Sequence, residues 1–236
     1  MQNTLIYCVF PFIASMLGGT IALVKSPSPY IKSCIQHFAA GVVFSVVAVE
    51  LIPDLIKKHA PFFVIIGFAL GILAMLMIKT LTNKVEEKAV SVSLAMLVAV
   101  AVDVLLDGFL IGIGFAAGNE EGLLLTVALT IEMVSLGLAV IVELASAGLS
   151  RSKSMLCLLG ISFLLFVGAG LGSLILSHAS NNVLELVLSF GLVALLFLVT
   201  EELLVEAHEQ PETPFTTALF FVGFLLLLIL SMSNSK

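Results

Sequence analysis

The sequence predicts an all-α polytopic membrane protein with eight transmembrane helices, and three observations carry this prediction. Hydrophobic residues make up 60% of the 236 positions and charged residues only 11%, against roughly 45–50% and about 25% in an average soluble protein. The 10 Lys and Arg with 16 Asp and Glu are too few to solvate the surface of a 25 kDa globule. The apolar residues also gather into eight stretches of about 20 residues, the length that crosses a bilayer. This composition excludes a basic nucleic-acid-binding protein, a disordered chain and a disulfide-stapled secreted domain.

The predicted spans are separated by short segments rich in charge, proline or glycine. They cover residues 4–24, 35–56, 61–81, 91–117, 122–148, 155–177, 183–207 and 214–232. Eight spans of about 21 residues use about 170 positions, so residues 1–236 are predicted to form a single transmembrane domain. The first span lacks a basic leader and is too long for a signal-peptide core, which predicts a retained helix.

The lysines and arginines predict the orientation of the chain. If the N-terminus is outside, the outer side carries Lys57, Lys58 and Lys236. The other seven basic residues then lie at the inner ends and loops: Lys25, Lys32, Lys79, Lys84, Lys88, Arg151 and Lys153. Eight spans place both termini on one side, so both are predicted to lie outside the plasma (inner) membrane.

Three carboxylates fall where lipid disfavours them. Asp103 and Asp107 lie in the middle of the fourth span and Glu132 well inside the fifth, and each costs about 2.5–3.5 kcal/mol at the bilayer centre. Asp103 and Asp107 are four residues apart and share one helix face. The short turn before the fifth span brings Glu132 to a similar depth. The cluster is therefore predicted to bind a cation or protons, with neutral carboxyls that hydrogen-bond between helices as the alternative.

A second set of acidic residues suggests an internal repeat. The second span ends in ELIPD, which contains Glu50 and Asp54, and the seventh contains ELLVE, with Glu202 and Glu206, toward the opposite side. This predicts a 3+2+3 arrangement, in which the first and last three helices form an inverted repeat around a central pair. Glu143, three turns beyond Glu132, either continues a polar path inward or lies at the interface.

At this point the chain resembles the ZIP (Zrt/Irt-like) family of divalent-metal transporters. The segments FAAGVVFSVVAVELIPDL, GLSRSKSMLCLLGISFLLFVGAGLG and TEELLVEAHE are similar to segments of that family's helices 2, 6 and 7. The segments DVLLDG and EMVSLGLAV lie over its helix-4 HNFPEG and helix-5 HNIPEGLAV motifs. No single motif is specific, but the five occur in order over nearly the whole chain. The family's own plan is eight helices in a three-two-three arrangement with both termini outside.

The departures from the family fall on its metal site. The resemblance places Asp103, Asp107 and Glu132 at positions where the family has His, Glu and His. Apolar residues stand where the family has Asn, Asn and Glu (Val104, Met133 and Leu136), and Leu165 or Phe166 lies near its helix-6 Glu. A two-metal centre is therefore not expected. Carboxylates favour harder ions such as Mn²⁺, although zinc also accepts their oxygens.

The predicted function is transport of a divalent cation, zinc or a harder ion such as manganese or iron, into the cytosol without an organic cofactor. Asp103, Asp107 and Glu132 would bind the ion, and Glu50, Asp54, Glu143, Glu202, Glu206 and His208 would serve ion access, exit or gating. The alternative is a degenerate relative that binds metal or protons as a sensor or partner subunit without transport. The resemblance implies that two chains can pair as a homodimer. An enzyme is not expected, since the chain has no nucleophile–base pair and no His-Glu-x-x-His helix.

Overall fold

The structure, a computed structural model, describes residues 2–25, 27–58, 61–88, 92–176 and 179–234. These residues form helices joined by short connections, and no strand occurs among them. Eight helices in this part of the chain are long and apolar enough to cross a membrane. The predicted class, an all-helical protein of the multi-pass membrane type, is therefore confirmed at this level.

Eight continuous helical rods, α1 to α8, follow one another along the chain, and some contain a local irregularity. Their bounds are α1 Gln2–Tyr7 and Val9–Val24; α2 Pro29–Val46, Val47–Leu51 and Ile52–Lys58; α3 Pro61–Lys88; α4 Val92–Ala117; α5 Asn119–Ser146; α6 Arg151–Ser162 and Leu164–Leu176; α7 Asn181–Phe197, Leu198–Leu203 and Leu204–Ala207; and α8 Pro214–Asn234.

The second helix begins earlier than predicted, at Pro29 rather than residue 35. Ser28 caps it, because its hydroxyl accepts a hydrogen bond from the Ile31 amide at 3.4 Å, and proline suits the first helical position. The polar segment before residue 35 was predicted as a connection, yet these local signals continue the helix through it. The extra turns bring Lys32 into α2, on the N-terminal side of Gln36 and His37.

Both α2 and α7 contain a π-helical turn near one end. The turns span Val47–Leu51 and Leu198–Leu203 and contain Glu50, Glu201 and Glu202. A π turn adds a residue to the helical repeat and therefore rotates the side chains that follow it, and such turns are frequent at functional sites.

The helices pack in two groups. In the first, α1 packs on α5 and α4 packs on both α5 and α6; in the second, α2 packs on α8 and α3 on α7. Within the first group, Gly108 lies against the Leu165 carbonyl and Gly168 against the Leu105 carbonyl. In the second, Gly41 lies against the Phe220 carbonyl. Helices in a bilayer approach closely through such small residues.

The two groups meet along α2 with α5 and α4 with α7. The fifth helix is the most enclosed. In its most apolar 18-residue segment 61% of the residues are buried, against 17% in the corresponding segments of α3 and α8. Its residues, including Glu132, therefore lie in the protein interior, away from the exposed faces of α3 and α8.

Candidate metal centre

The structure brings three carboxylates from α4 and α5 together. Asp103, Asp107 and Glu132 each offer one oxygen, and these oxygens lie within 4.8 Å of one another. The geometry follows from the sequence: Asp103 and Asp107 are one helical turn apart, and the connection at Gly118 returns the chain beside α4. Asp107 and Glu132 lie roughly three to four turns from Gly118 along their own helices.

Two of the three carboxylates are almost completely buried. Asp107 and Glu132 are each 2% exposed, and Asp103 is half-buried. Among the described residues, Asp107 Oδ2 and Glu132 Oε2 have no hydrogen-bond partner. A buried polar group without a partner costs free energy, and a buried charge costs more. The pair therefore needs protons or a bound cation.

A cavity of about 410 Å³ connects these carboxylates with one end of the molecule. Its polar lining includes Gln36, Asp103, Asp107, Glu132, Glu202 and Glu206. Its lining also reaches Lys79 and Glu201, whose side chains are 46% and 43% exposed. These residues mark a mouth at the end where α2 begins and α7 ends.

The carboxylates at the mouth are paired, unlike those deeper in the cavity. The Glu206 carboxylate lies 3.3 Å from Lys32 Nζ and accepts a hydrogen bond from Gln36 Nε2. Glu201 forms an ion pair with Lys79. Sequence reasoning missed Gln36, which is 1% exposed, because a single glutamine in an apolar helix gives no recognisable signal.

Glu202 links the two helix groups at the site. It extends from the π turn of α7 into the cavity, where it interacts electrostatically with Asp103 and Asp107 of α4. Of the residues predicted to serve ion access, exit or gating, Glu202 and Glu206 therefore lie on the route between the carboxylate cluster and the mouth.

The other acidic residues predicted for access or gating lie elsewhere. Glu50 accepts a hydrogen bond from Ser231 at 2.5 Å, and Asp54 pairs with Lys57 at 3.6 Å. Neither residue lines the cavity, and neither does the half-buried Glu143. Asp54 and Glu50 are close to Glu121 of α5, at the end of the molecule opposite the mouth.

The histidines differ in part from expectation. His208 and Glu206 do not form a joint exit site: His208 lies beside His37 and Glu212, while Glu206 contacts Lys32 and Gln36. The helix-7 segment places Glu206 and His208 on different faces, since they are two residues apart. His59 and His178 follow predicted spans on the outer side, where they would at most collect metal weakly, and both lie outside the described residues.

A buried carboxylate that the sequence did not single out lies in α7. Glu185 is 4% exposed, and its Oε2 has no hydrogen-bond partner among the described residues. It lies near the start of α7 and does not line the cavity. Glu185 lies about one turn into the helix, where acidic side chains are usually solvated, so nothing in the sequence indicated that it is buried.

An apolar cluster occupies the positions where metal ligands were expected to be lost. Val104, Met133 and Leu165 are fully buried and pack together with Ala14. This packing leaves no polar side chain at those positions to hold a second ion beside the three carboxylates. The donor set of Asp103, Asp107 and Glu132 is all oxygen, which fits Mn²⁺, Mg²⁺ or Ca²⁺ and also Zn²⁺ or Fe²⁺ with added water.

The chain matches no protein-family model, and no curated protein is significantly similar to it.

Proposed function

We propose that this protein is a membrane transporter that carries a divalent metal cation through the site of Asp103, Asp107 and Glu132. One observation carries the proposal: Asp107 and Glu132 are buried with unpaired oxygens and line a cavity that reaches a half-exposed mouth. A carboxylate inside a membrane is a functional-site hypothesis by default. A dehydrated divalent cation would replace the missing partners of both.

The proposed architecture is a 3+2+3 inverted repeat of the ZIP-like type. The packing supports it, since α1 on α5 corresponds to α6 on α4, and α2 on α8 corresponds to α7 on α3. The π turns of α2 and α7 occupy corresponding places in this scheme. Inverted repeats place the substrate at their interface near the bilayer midplane, the depth that the sequence predicts for Asp103 and Glu132.

The proposed movement is of α1, α4, α5 and α6 as one unit against α2, α3, α7 and α8. Inside each unit, glycines bring backbones into direct contact, as at Gly108 and Gly41. Across the boundary, a Cβ at Gly191 of α7 would meet only the end of the Leu110 side chain, at 3.1 Å. Side chains change rotamer more readily than backbones move, so the boundary between the units is the surface that would slide.

The proposed direction of transport is into the cytosol. The mouth lies at the end of the molecule that carries Lys32 and Lys79, and cytoplasmic ends of membrane helices are enriched in lysine and arginine. With this orientation both termini lie outside, and the cavity opens inward. The plasma (inner) membrane is the proposed location.

Uptake into proteoliposomes tests the proposal. Purified protein is reconstituted, and accumulation of zinc, manganese, iron(II) and cadmium is followed with a fluorescent indicator inside the vesicles. We expect at least one of these ions to accumulate at a rate that saturates with concentration. Asp107→Asn with Glu132→Gln should abolish accumulation, while Glu143→Gln, a substitution outside the cavity, should retain it. Equal rates in empty vesicles and protein-containing vesicles would reject transport.

The second candidate function is a metal or proton sensor, or a partner subunit, that does not transport. The apolar packing of Val104, Met133 and Leu165 favours it, since part of the ligand set expected from the resemblance is missing. This candidate predicts metal binding at Asp107 and Glu132 without accumulation in vesicles. Equilibrium binding measured beside uptake on the same preparation therefore separates the two functions.

A further inference from the structure

A second group of metal-ligating side chains lies outside the carboxylate cluster. His37 of α2, His208 after the end of α7 and Glu212 before α8 each offer one ligand atom, all within 4.8 Å of one another. The two rings are 5.3 Å apart between centroids, and His208 Nε2 lies 2.8 Å from Glu212 Oε1. His208 and Glu212 are four residues apart, and the start of α2 meets the end of α7 to bring His37, which is distant in sequence, beside them.

The surroundings of His37 suit a ligand. Its side chain is 3% exposed, and its Nδ1 lies 2.9 Å from the main-chain carbonyl oxygen of Ser33. That oxygen only accepts, so the geometry assigns the hydrogen to Nδ1 and leaves the lone pair of the neutral ring on Nε2. Metal-ligating histidines characteristically donate their other ring N–H to a carbonyl or carboxylate in this way.

The separations are close to those that a metal ion imposes. Two ligands at about 2.0–2.2 Å from a tetrahedral zinc are about 3.3 Å apart. Since no pair among the three ligand atoms exceeds 4.8 Å, adjustments of no more than about 1.5 Å would complete the shell. Two imidazoles and a carboxylate favour Zn²⁺ among common divalent ions. The side chains of His208 and Glu212 are 47% and 54% exposed, which leaves the fourth position open to water.

We infer that His37, His208 and Glu212 form a zinc site beside the mouth of the cavity, separate from the carboxylate cluster. Gln36, next to His37 in sequence, lines the cavity. The hydroxyl of Ser33 donates to the Ala207 carbonyl at 2.7 Å and already joins α2 to α7 beside this position. A zinc ion here cross-links the start of α2 to the segment between α7 and α8. The site rests on its own residues and does not depend on the proposed function.

The test uses the full chain carrying Asp107→Asn and Glu132→Gln, so that the mid-membrane cluster is disabled. Zinc is titrated against a chromophoric chelator in detergent, and X-ray absorption at the zinc edge reports the ligands. We expect one zinc per chain with scattering from two imidazoles. Adding His208→Gln should weaken binding at least about tenfold, because even changes behind the ligands cost 10–100-fold. Glu212→Gln should also weaken binding.

Glu209→Gln is the matched control, since it removes the same charge from an exposed residue of the same segment and should leave affinity unchanged. Circular dichroism and size exclusion establish that each variant is folded. The variants at His208 and Glu212 test the site even if His37→Gln does not fold, because these two side chains are exposed. The inference is overturned if the folded background variant binds no zinc, if its spectrum lacks imidazole scattering, or if His208→Gln binds as tightly as its parent. In those cases His208 and Glu212 form only a surface ion pair. Zinc binding that persists in the background variant while uptake is lost separates this site from the transport site.

Discussion

The carboxylates that line the cavity have different surroundings in the two helix groups. In the group of α1, α4, α5 and α6, Asp107 and Glu132 are 2% exposed and have unpaired oxygens. In the group of α2, α3, α7 and α8, Glu201 and Glu206 are half exposed, and each is paired with a lysine of its own group. The chemical group is the same in both, and only its surroundings differ.

The difference shows which carboxylates require an ion. An exposed ion pair contributes about 0–1 kcal/mol, so Glu201 and Glu206 are satisfied without a ligand. A carboxylate at membrane depth costs about 2.5–3.5 kcal/mol, and no lysine or arginine approaches Asp107 or Glu132 among the described residues. Glu202 lies on α7 of the second group, but its side chain interacts with Asp103 and not with a lysine, so it belongs with the carboxylates that lack a cation.

The largest expected effect comes from neutralising the unpaired set. Asp107→Asn with Glu132→Gln should lower the affinity for manganese at least about 100-fold, since even outer-shell changes cost 10–100-fold. Glu206→Gln should change it by less than about fivefold, because that carboxylate is half exposed and paired. Isothermal titration calorimetry with manganese measures both, since this hard ion favours carboxylates over the imidazoles of His37 and His208.

Thermal unfolding in detergent gives the control for this comparison. The amide variants remove buried charges, so their melting temperature without metal should be no lower than that of the parent. Manganese should raise the melting temperature of the parent and leave that of the double variant unchanged. A double variant that still binds manganese with the parent's affinity contradicts the assignment of the site.

The second effect is competition between protons and metal. A carboxylate must lose its proton to bind a cation, so lowering the pH should weaken binding, by up to about tenfold per pH unit for each proton released. The logarithm of the affinity, plotted against pH from about pH 8 to about pH 5.5, has a slope that gives the number of protons released when the metal binds. This slope should be smaller in Asp107→Asn than in the parent and unchanged in Glu206→Gln. An affinity independent of pH contradicts a carboxylate site.

The sequence was sufficient for the eight helices and for the convergence of Asp103, Asp107 and Glu132. Hydropathy identifies stretches that are long and apolar enough to cross a bilayer, and a four-residue spacing with a short connection fixes both face and depth. The contacts of Gln36 and of His37 could not be predicted, because they depend on how the start of α2 meets the end of α7. The π turn around Glu202 was also missed, since it changes side-chain direction without changing hydropathy.

The third effect tests whether the groups are rigid. In Gly108→Ala the new Cβ would lie 2.2 Å from the Leu165 carbonyl oxygen, so a backbone must shift, and we expect a loss of about 1–3 kcal/mol in the free energy of unfolding. Gly170→Ala is the matched control in the same part of the molecule, because nothing lies within 4 Å of its Cβ. Unfolding in mixed detergent and SDS micelles measures both. Equal stability of the two variants would show that backbone contact at Gly108 does not hold α4 to α6.

The smallest expected effect concerns the paired carboxylates at the mouth. In vesicles in which the mouth faces the external solution, Lys79→Met leaves Glu201 without its partner and makes the mouth more negative, so cations should be drawn in slightly faster at low ionic strength. Glu201→Gln leaves Lys79 unpaired and should slow uptake slightly. Each change should stay below about fivefold, since both side chains are nearly half exposed and an exposed pair is worth about 0–1 kcal/mol. Initial uptake rates in vesicles should differ in opposite directions at low salt and converge at high salt, where screening shortens the range of the charges. An effect of Lys79→Met as large as that of Asp107→Asn with Glu132→Gln would mean that the pair at the mouth, and not burial in the first group, controls the ion.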